Sequence, residues 1–437
     1  MRIRRVLLVV LLSLRGFPWL WDRLAATMDN VRLLEGMSRP WWLYRAAGRV
    51  PASTVERRSP QPVTSAEVEL CERLTVAFAK ATSGDRSDGP SGIWGWIVDT
   101  HHRQLVETLQ RGDALALARL LASMFQEEFV SGIMGDAGIK HHESRFGSRL
   151  LSLRSLDCLV SLAEAVGVVP VETAGQGQAG LAFQDGLAHL LARIDEALGF
   201  RIDFPNVGAP YGLDIDGRLI TQNTPEQIYA ALRLDQARCN HLSSRPEDTV
   251  DIVEIGGGYG GMCYWFLCMR PSIARYTIVD LPITSVLQGY FLAQALGPDV
   301  VSLFGEPPAQ VRLLPDSALE EVDAPFDIMV NKDGMPEMPY ATMAGYLEWG
   351  RRNCDGLFFS YNQEARAEFH KTWTQGVVPE AIERIGGFTR TRRDHSWLRR
   401  GYAEEIYIPS DASRPTAGLR PARKAGDAQP RGGLAPH

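Results

Sequence analysis

One stretch limits what this chain can fold into more than any other: Asp251-Ile-Val-Glu254-Ile-Gly256-Gly257-Gly258-Tyr259-Gly260-Gly261. A short apolar run ends beside a glutamate, opens into a cluster of glycines and continues into a second apolar run. Such an order reads as a buried strand, a tight turn and a helix. Glycines serve that turn because it needs positive φ and because a ligand must come close to the backbone. The turn alone does not name the ligand, and a glycine-rich turn that binds nothing would look the same.

The residues that follow extend the pattern. Apolar strands are expected at 250–255, 276–280, 300–304, 326–331 and 357–361, with helices at 261–269, 284–296 and 340–353 between them. Continuous apolar strands separated by helices imply a parallel sheet covered on both faces. Two further strands, at 388–393 and 404–408, bring the count to seven and end in a hairpin. That is the layout of a class I methyltransferase: an α/β, Rossmann-like seven-stranded sheet with helices on both faces.

Upstream the periodicity is different. Leu150, Leu153, Leu156, Leu159, Val160, Ala163 and Val166 recur at three- and four-residue steps, and so do Leu187, Leu190, Leu191, Ile194 and Leu198, as a buried helix face requires. The expected organisation is an apolar, helical segment at 1–50, a linker at 51–65, an α-helical region at 66–200 and a connecting segment at 201–248. The cofactor-binding domain at 249–408 and a disordered tail at 409–437 follow. The helical region would suit a lid, a substrate-binding layer or a dimer interface, so a homo-oligomer is one expectation. The nine-residue run 6–14, apolar except for Ser13, falls short of the ~20 needed to span a bilayer. A cytoplasmic protein, with peripheral membrane contact through this N-terminus, is the expectation. Basic residues number 46 and acidic residues 52, for a net charge of −6, so no general nucleic-acid partner is expected. Six scattered cysteines without a CxxC pair read as buried thiols and not as a disulfide frame or a zinc site.

Two acids bear on the ligand. Gly256, Gly258 and Gly261 satisfy the dinucleotide pattern GxGxxG, whereas Glu254, Gly256, Gly258 and Gly260 satisfy the methyltransferase pattern ExGxGxG. A pyrophosphate at a helix N-terminus wants positive potential, and a carboxylate at Glu254 would repel it. S-adenosylmethionine carries a sulfonium and an ammonium, which that carboxylate would attract. Asp280, ending the strand YTIVD, can take both hydroxyls of an adenosine ribose and would serve either cofactor.

The segments VEIGGGYGG, IVDLP followed by LQGYFL, and VNKDGMPEMP resemble the bacterial sugar O-methyltransferase family, whose members are associated with polysaccharide or glycan biosynthesis. The likeness covers roughly 208–408, including GAPYGLDIDGRLITQNTPEQIYAALRLDQ, and leaves the N-terminal third and the tail uncovered. It implies S-adenosyl-L-methionine as cofactor, held by Glu254, Gly256, Gly258, Gly260 and Asp280, and a small-molecule or glycan acceptor. Tyr259 either lies against the methionine part of the cofactor or packs internally. Where the family tends to carry serine, this chain has Gly334, so a hydroxyl role there is lost or moved.

Methyl transfer to oxygen needs donor and acceptor held in line, and a base for the hydroxyl proton that contributes ~10²–10⁴-fold. In an open parallel sheet the site lies beyond the carboxyl ends of the strands. Asn331 is placed there to contact the cofactor. Asp333 and Glu337 are placed to accept the proton or bind a divalent ion, although turn and helix capping are common uses of such acids. His395, between the last two strands, is a further base. His141 and His142 lack a third ligand at metal spacing, so no zinc site is expected there, and a divalent metal elsewhere stays open. Trp41, Trp42, Trp94 and Trp96 suit sugar stacking or core packing. Arg390, Arg392, Arg393, Arg399 and Arg400 suit a phosphate or a solvated edge. An NAD-dependent oxidoreductase and a non-catalytic binding module remain the alternative readings.

Overall fold

The computed structural model describes residues 55–83, 93–130, 132–133, 145–171, 185–242, 250–273, 275–366, 368–369 and 373–410. The apolar segment at 1–50, Trp41, Trp42, His141, His142, the glycine-rich loop at 173–180 and the tail beyond 410 lie outside these residues. Among the described residues no helix is long and apolar enough to cross a membrane.

Among the described residues the N-terminal half contains β1 (Val55–Arg57) and the α-helices α1 (Ser65–Thr82), α2 (Ile93–Thr100), α3 (Arg103–Arg111), α4 (Ala114–Leu121), α5 (Arg145–Ala165) and α6 (Leu187–Leu198). The helix start at Ser65 is encoded locally. Thr64 accepts the Glu67 amide and Glu67 Oε2 accepts the Thr64 amide at 2.8 Å, a capping box that satisfies two donors at once. The other oxygen of Glu67 accepts the Tyr290 hydroxyl at 3.0 Å, so one side chain both starts α1 and ties it to the sheet half.

The connecting segment is structured. It forms β2 (Tyr211–Ile215), β3 (Arg218–Ile220) and α7 (Thr224–His241), and β1 pairs antiparallel with β2. The stretch at 51–65 is therefore not simply a linker. The side chains at 55–65 are mostly exposed as expected, but Val55–Arg57 completes a three-stranded sheet.

The C-terminal half runs β4 (Asp251–Ile255), α8 (Gly261–Met269), β5 (Arg275–Asp280), α9 (Pro282–Leu296), β6 (Val301–Ser302), β7 (Val311–Pro315), β8 (Phe326–Lys332), α10 (Tyr340–Asn353) and β9 (Cys354–Gln363). A small hairpin, β10 (Glu368–Phe369) and β11 (Trp373–Thr374), precedes α11 (Val378–Ile385), β12 (Phe388–His395) and β13 (Tyr402–Pro409). The sheet order is β12-β13-β9-β8-β4-β5-β7-β6, with β13 antiparallel to both of its neighbours and the remaining pairings parallel. This is the α/β class I methyltransferase architecture. One strand differs from expectation: beside β5 lies Val311–Pro315, whereas the run 300–304 supplies only a two-residue edge strand, so this sheet has eight strands among the described residues.

The core does not divide at the boundary between the halves. Phe125 from the helical half and Phe204 from the connecting segment meet Tyr259 and Phe291 of the sheet half, with ring centroids 5.0–6.3 Å apart.

At the start of α3, His102 is fully buried, and neither ring nitrogen makes a well-formed hydrogen bond, the Phe129 backbone supplying only a weak contact. Burial pushes its pKa down to about 4, against an ordinary value near 6.5. The unfolded chain therefore binds the proton more readily, and stability falls as the pH drops from 6.5 towards 4. Replacing His102 by phenylalanine should remove an acid-sensitive contribution on the order of 3 kcal/mol. Urea unfolding at pH 7 and pH 4.5 would show this as a smaller drop in the variant. An equal drop in both proteins would refute it.

Candidate functional site

The chain steps from β4 to β5 on one side and later crosses to β8 on the other, and this switch in strand order opens a crevice at the carboxyl ends of these parallel strands. A cavity of about 380 Å³ fills it. Register brings the right residues level: Glu254 lies opposite Val330 and Ile278, and Asp280 lies opposite Pro315, so that Asp316 follows at the same end.

The glycine turn forms one wall. Gly256, Gly257 and Gly258 line the cavity, and a Cβ on Gly258 would meet nothing closer than Ile133 of the helical half, at 3.8 Å. That gap leaves the backbone open to a ligand. Gly260 serves differently. Its φ of 88° and the 2.8 Å approach that a Cβ would make to Leu292 show that it lets α8 begin close against α9, and it does not line the cavity.

Glu254 is buried, and its Oε2 accepts the Tyr276 hydroxyl at 2.9 Å. Burial outweighs that bond and pushes its pKa up to about 7. Asp280 accepts three donors: the Leu281 amide at 2.8 Å, the Gly257 amide at 2.9 Å and the Gln288 amide group at 2.7 Å. Desolvation again prevails, and its pKa rises to about 7. Both carboxyls line the cavity, and a cation entering it would favour their ionised forms.

Three expected contacts are not made at the cavity. Tyr259 turns into the core, 1% exposed and edge-on to Phe125 and Phe291, because the left-handed glycines at 258 and 260 direct it away from the opening. Asn331 is fully buried. Its amide donates to the Ile255 carbonyl at 2.8 Å and its oxygen accepts the Met335 amide, so it clamps two strand ends together. His395 is the last residue of β12, an exposed edge-strand position away from the cavity.

Asp333 and Glu337 do line the cavity. Asp333 has a φ of 69°, and its carboxylate pairs with Arg399 and accepts the Tyr402 hydroxyl at 2.7 Å. Arg399 and Lys332 hold its pKa below the usual carboxylate range against the effect of burial, which makes it a weak proton acceptor. Glu337 Oε2 accepts the Trp94 indole N–H at 3.1 Å, so α2 of the helical half forms part of the wall.

Arg390, Arg392 and Arg393 pair with Glu405, Asp394 and Glu364, a solvated edge network. Arg399 departs from this group, lying 3.8 Å from the centre of the Tyr402 ring and reaching the site through Asp333.

The sequence reasoning missed Lys332, Gln227, Thr284, Asp316 and the contribution of Ile133, all of which line the cavity. Gln227 Oε1 and Thr284 Oγ1 are buried and unpartnered, as expected of atoms awaiting a ligand. Five carboxylates and a single ammonium line the cavity among the described residues. No cluster of three His, Cys, Asp or Glu side chains able to hold a metal occurs among those residues.

No family model matches the sequence, and neither does any curated protein. Among solved structures the chain is similar to the mitomycin 7-O-methyltransferase MmcR, at 12% identity over 78% of this chain and 94% of that one, with a TM-score of 0.34. It is also similar to the Burkholderia thailandensis 1,6-didemethyltoxoflavin-N1-methyltransferase bound to S-adenosylhomocysteine, at 20% identity over 42% and 79%, TM-score 0.30. A third is magnesium protoporphyrin IX methyltransferase from Synechocystis PCC 6803 with bound S-adenosylmethionine, at 13% identity over 43% and 84%, TM-score 0.30.

Proposed function

We propose that this protein is an S-adenosylmethionine-dependent O-methyltransferase acting on a sugar hydroxyl in glycan or glycoside biosynthesis. The observation that carries the reading is the charge of the cavity. Glu254, Asp280 and Asp316 surround the glycine turn, and the one lining ammonium, Lys332, is at the end of β8. A pyrophosphate would face carboxylates there, whereas a cationic nucleoside would be attracted.

The residues present fit such a ligand. Asp280 would take the ribose hydroxyls, and Glu254 would take the ammonium of the methionine part. Gly256 and Gly258 would let the ligand lie against backbone, and Thr284 and Gln227 would gain partners. When bound, S-adenosylmethionine supplies an activated methyl group. The chain supplies position, exclusion of water and a place for the acceptor's proton. The sugar acceptor is supported by the motif likeness and by the Trp94 indole fixed in the wall by Glu337, an aromatic face beside a carboxylate.

Calorimetric titration with S-adenosylhomocysteine, with NADH in parallel, tests the reading. Micromolar binding of the nucleoside and none of NADH is expected. Because Glu254 and Asp280 protonate near pH 7, the affinity should be higher at pH 8 than at pH 6. Binding of NADH alone would favour the oxidoreductase.

A further inference from the structure

Lys332 is the last residue of β8, half-buried and lining the cavity. Its neighbour Asp333, the counter-ion that sequence position would suggest, is already paired with Arg399 and bonded to Tyr402. Glu254 is engaged by Tyr276. The Lys332 ammonium consequently forms no hydrogen bond or ion pair with a described residue. It lies over the face of Tyr361, with the ring centre 5.9 Å away. An amine at the carboxyl end of the central strands, facing a cavity and without a hydrogen bond or ion pair to any described residue, is free to act on a ligand there.

We propose that Lys332 is the group that accepts the proton of the acceptor hydroxyl during methyl transfer; this rests on the methyltransferase reading given above. The other nominated bases are less suited. Asp333 is neutralised by Arg399, His395 is outside the cavity, and Glu337 is committed to the Trp94 indole. The step balances. The acceptor oxygen gains a methyl group and loses its proton, the sulfonium donor is left as a neutral thioether, and Lys332 Nζ ends as the ammonium. The surroundings move the amine towards its neutral form. Burial lowers the Lys332 pKa first and the positive charge of Arg399 lowers it further, while Asp333, Glu226 and Glu254 oppose them.

Trace acetylation of the intact protein with acetic anhydride, over a range of pH and read by mass spectrometry of the peptides, tests this without an acceptor. Lys332 should titrate at lower pH than the exposed Lys80, and S-adenosylhomocysteine should slow its labelling several-fold while leaving Lys80 unchanged. If S-adenosylhomocysteine binds calorimetrically but Lys332 titrates like Lys80 or is not protected, the assignment of Lys332 is wrong and the methyltransferase reading stands. If S-adenosylhomocysteine does not bind, both fall together.

Discussion

Replacing Asp280 by asparagine should weaken S-adenosylhomocysteine binding by on the order of 100-fold at pH 8. The magnitude follows from two hydrogen bonds between ribose hydroxyls and an ionised carboxylate, which together would contribute about 3 kcal/mol. Asparagine is the informative substitution because Asp280 also organises the loop, accepting the amides of Gly257 and Leu281 and the side chain of Gln288. Alanine would leave three donors without an acceptor and confuse lost binding with a collapsed turn. Asparagine keeps one carbonyl oxygen for Gly257 and Gln288. The pH dependence adds a second check. The wild-type carboxyl protonates near pH 7 and then resembles the amide, so the affinity ratio between the two proteins should shrink as the pH falls from 8 to 6. A ratio that stays constant would mean that the charge at Asp280 is not what holds the nucleoside.

The parts of the site that could be read from sequence are those built within one strand–turn–helix unit. Glu254, Gly256, Gly258 and Asp280 reach the cavity because the chain itself carries them to adjacent strand ends. Tyr259 and Gly260 belong to the same motif but face the other side of the turn. A pattern of residue types does not record which way a side chain leaves a left-handed backbone. The strand beside β5 was misplaced for a related reason. Residues 300–304 and 311–315 are both short apolar runs, and only pairing with β5 distinguishes them. Lys332 carries no motif at all. Its meaning comes from Arg399, 67 residues later, taking Asp333 away. Trp94 and Ile133 enter the wall from a helical half whose sequence shows periodicity but no chemistry. They could be placed only once the two halves were seen to share a core.

That shared core makes the second large effect predictable. Truncating Phe125 to alanine should destabilise the whole chain by ~3–5 kcal/mol and lower a single thermal transition by roughly 5 °C. Phe125 is fully buried in the short turn Met124–Gln126, and its amide donates to the Gly208 carbonyl at 2.9 Å. Its ring meets Tyr259 at 5.4 Å and Phe291 at 6.0 Å, both from the sheet half, and Phe204 at 5.5 Å from the connecting segment. The cavity left by an alanine would therefore open between the halves, where neither can relax into it alone. If the helical half were an independent domain, calorimetry would instead resolve two transitions, only one of them shifted by the substitution. The functional consequence separates this variant from Asp280→Asn. Loosening the packing at Phe125 should displace Ile133 and Trp94 from the cavity wall and weaken S-adenosylhomocysteine binding through loss of enclosure. The affinity of Phe125→Ala should then recover on cooling, as the intact fold is repopulated, whereas that of Asp280→Asn should not. A Phe125 variant that melts early yet binds normally below its transition would show that the helical half closes the cavity without depending on this contact.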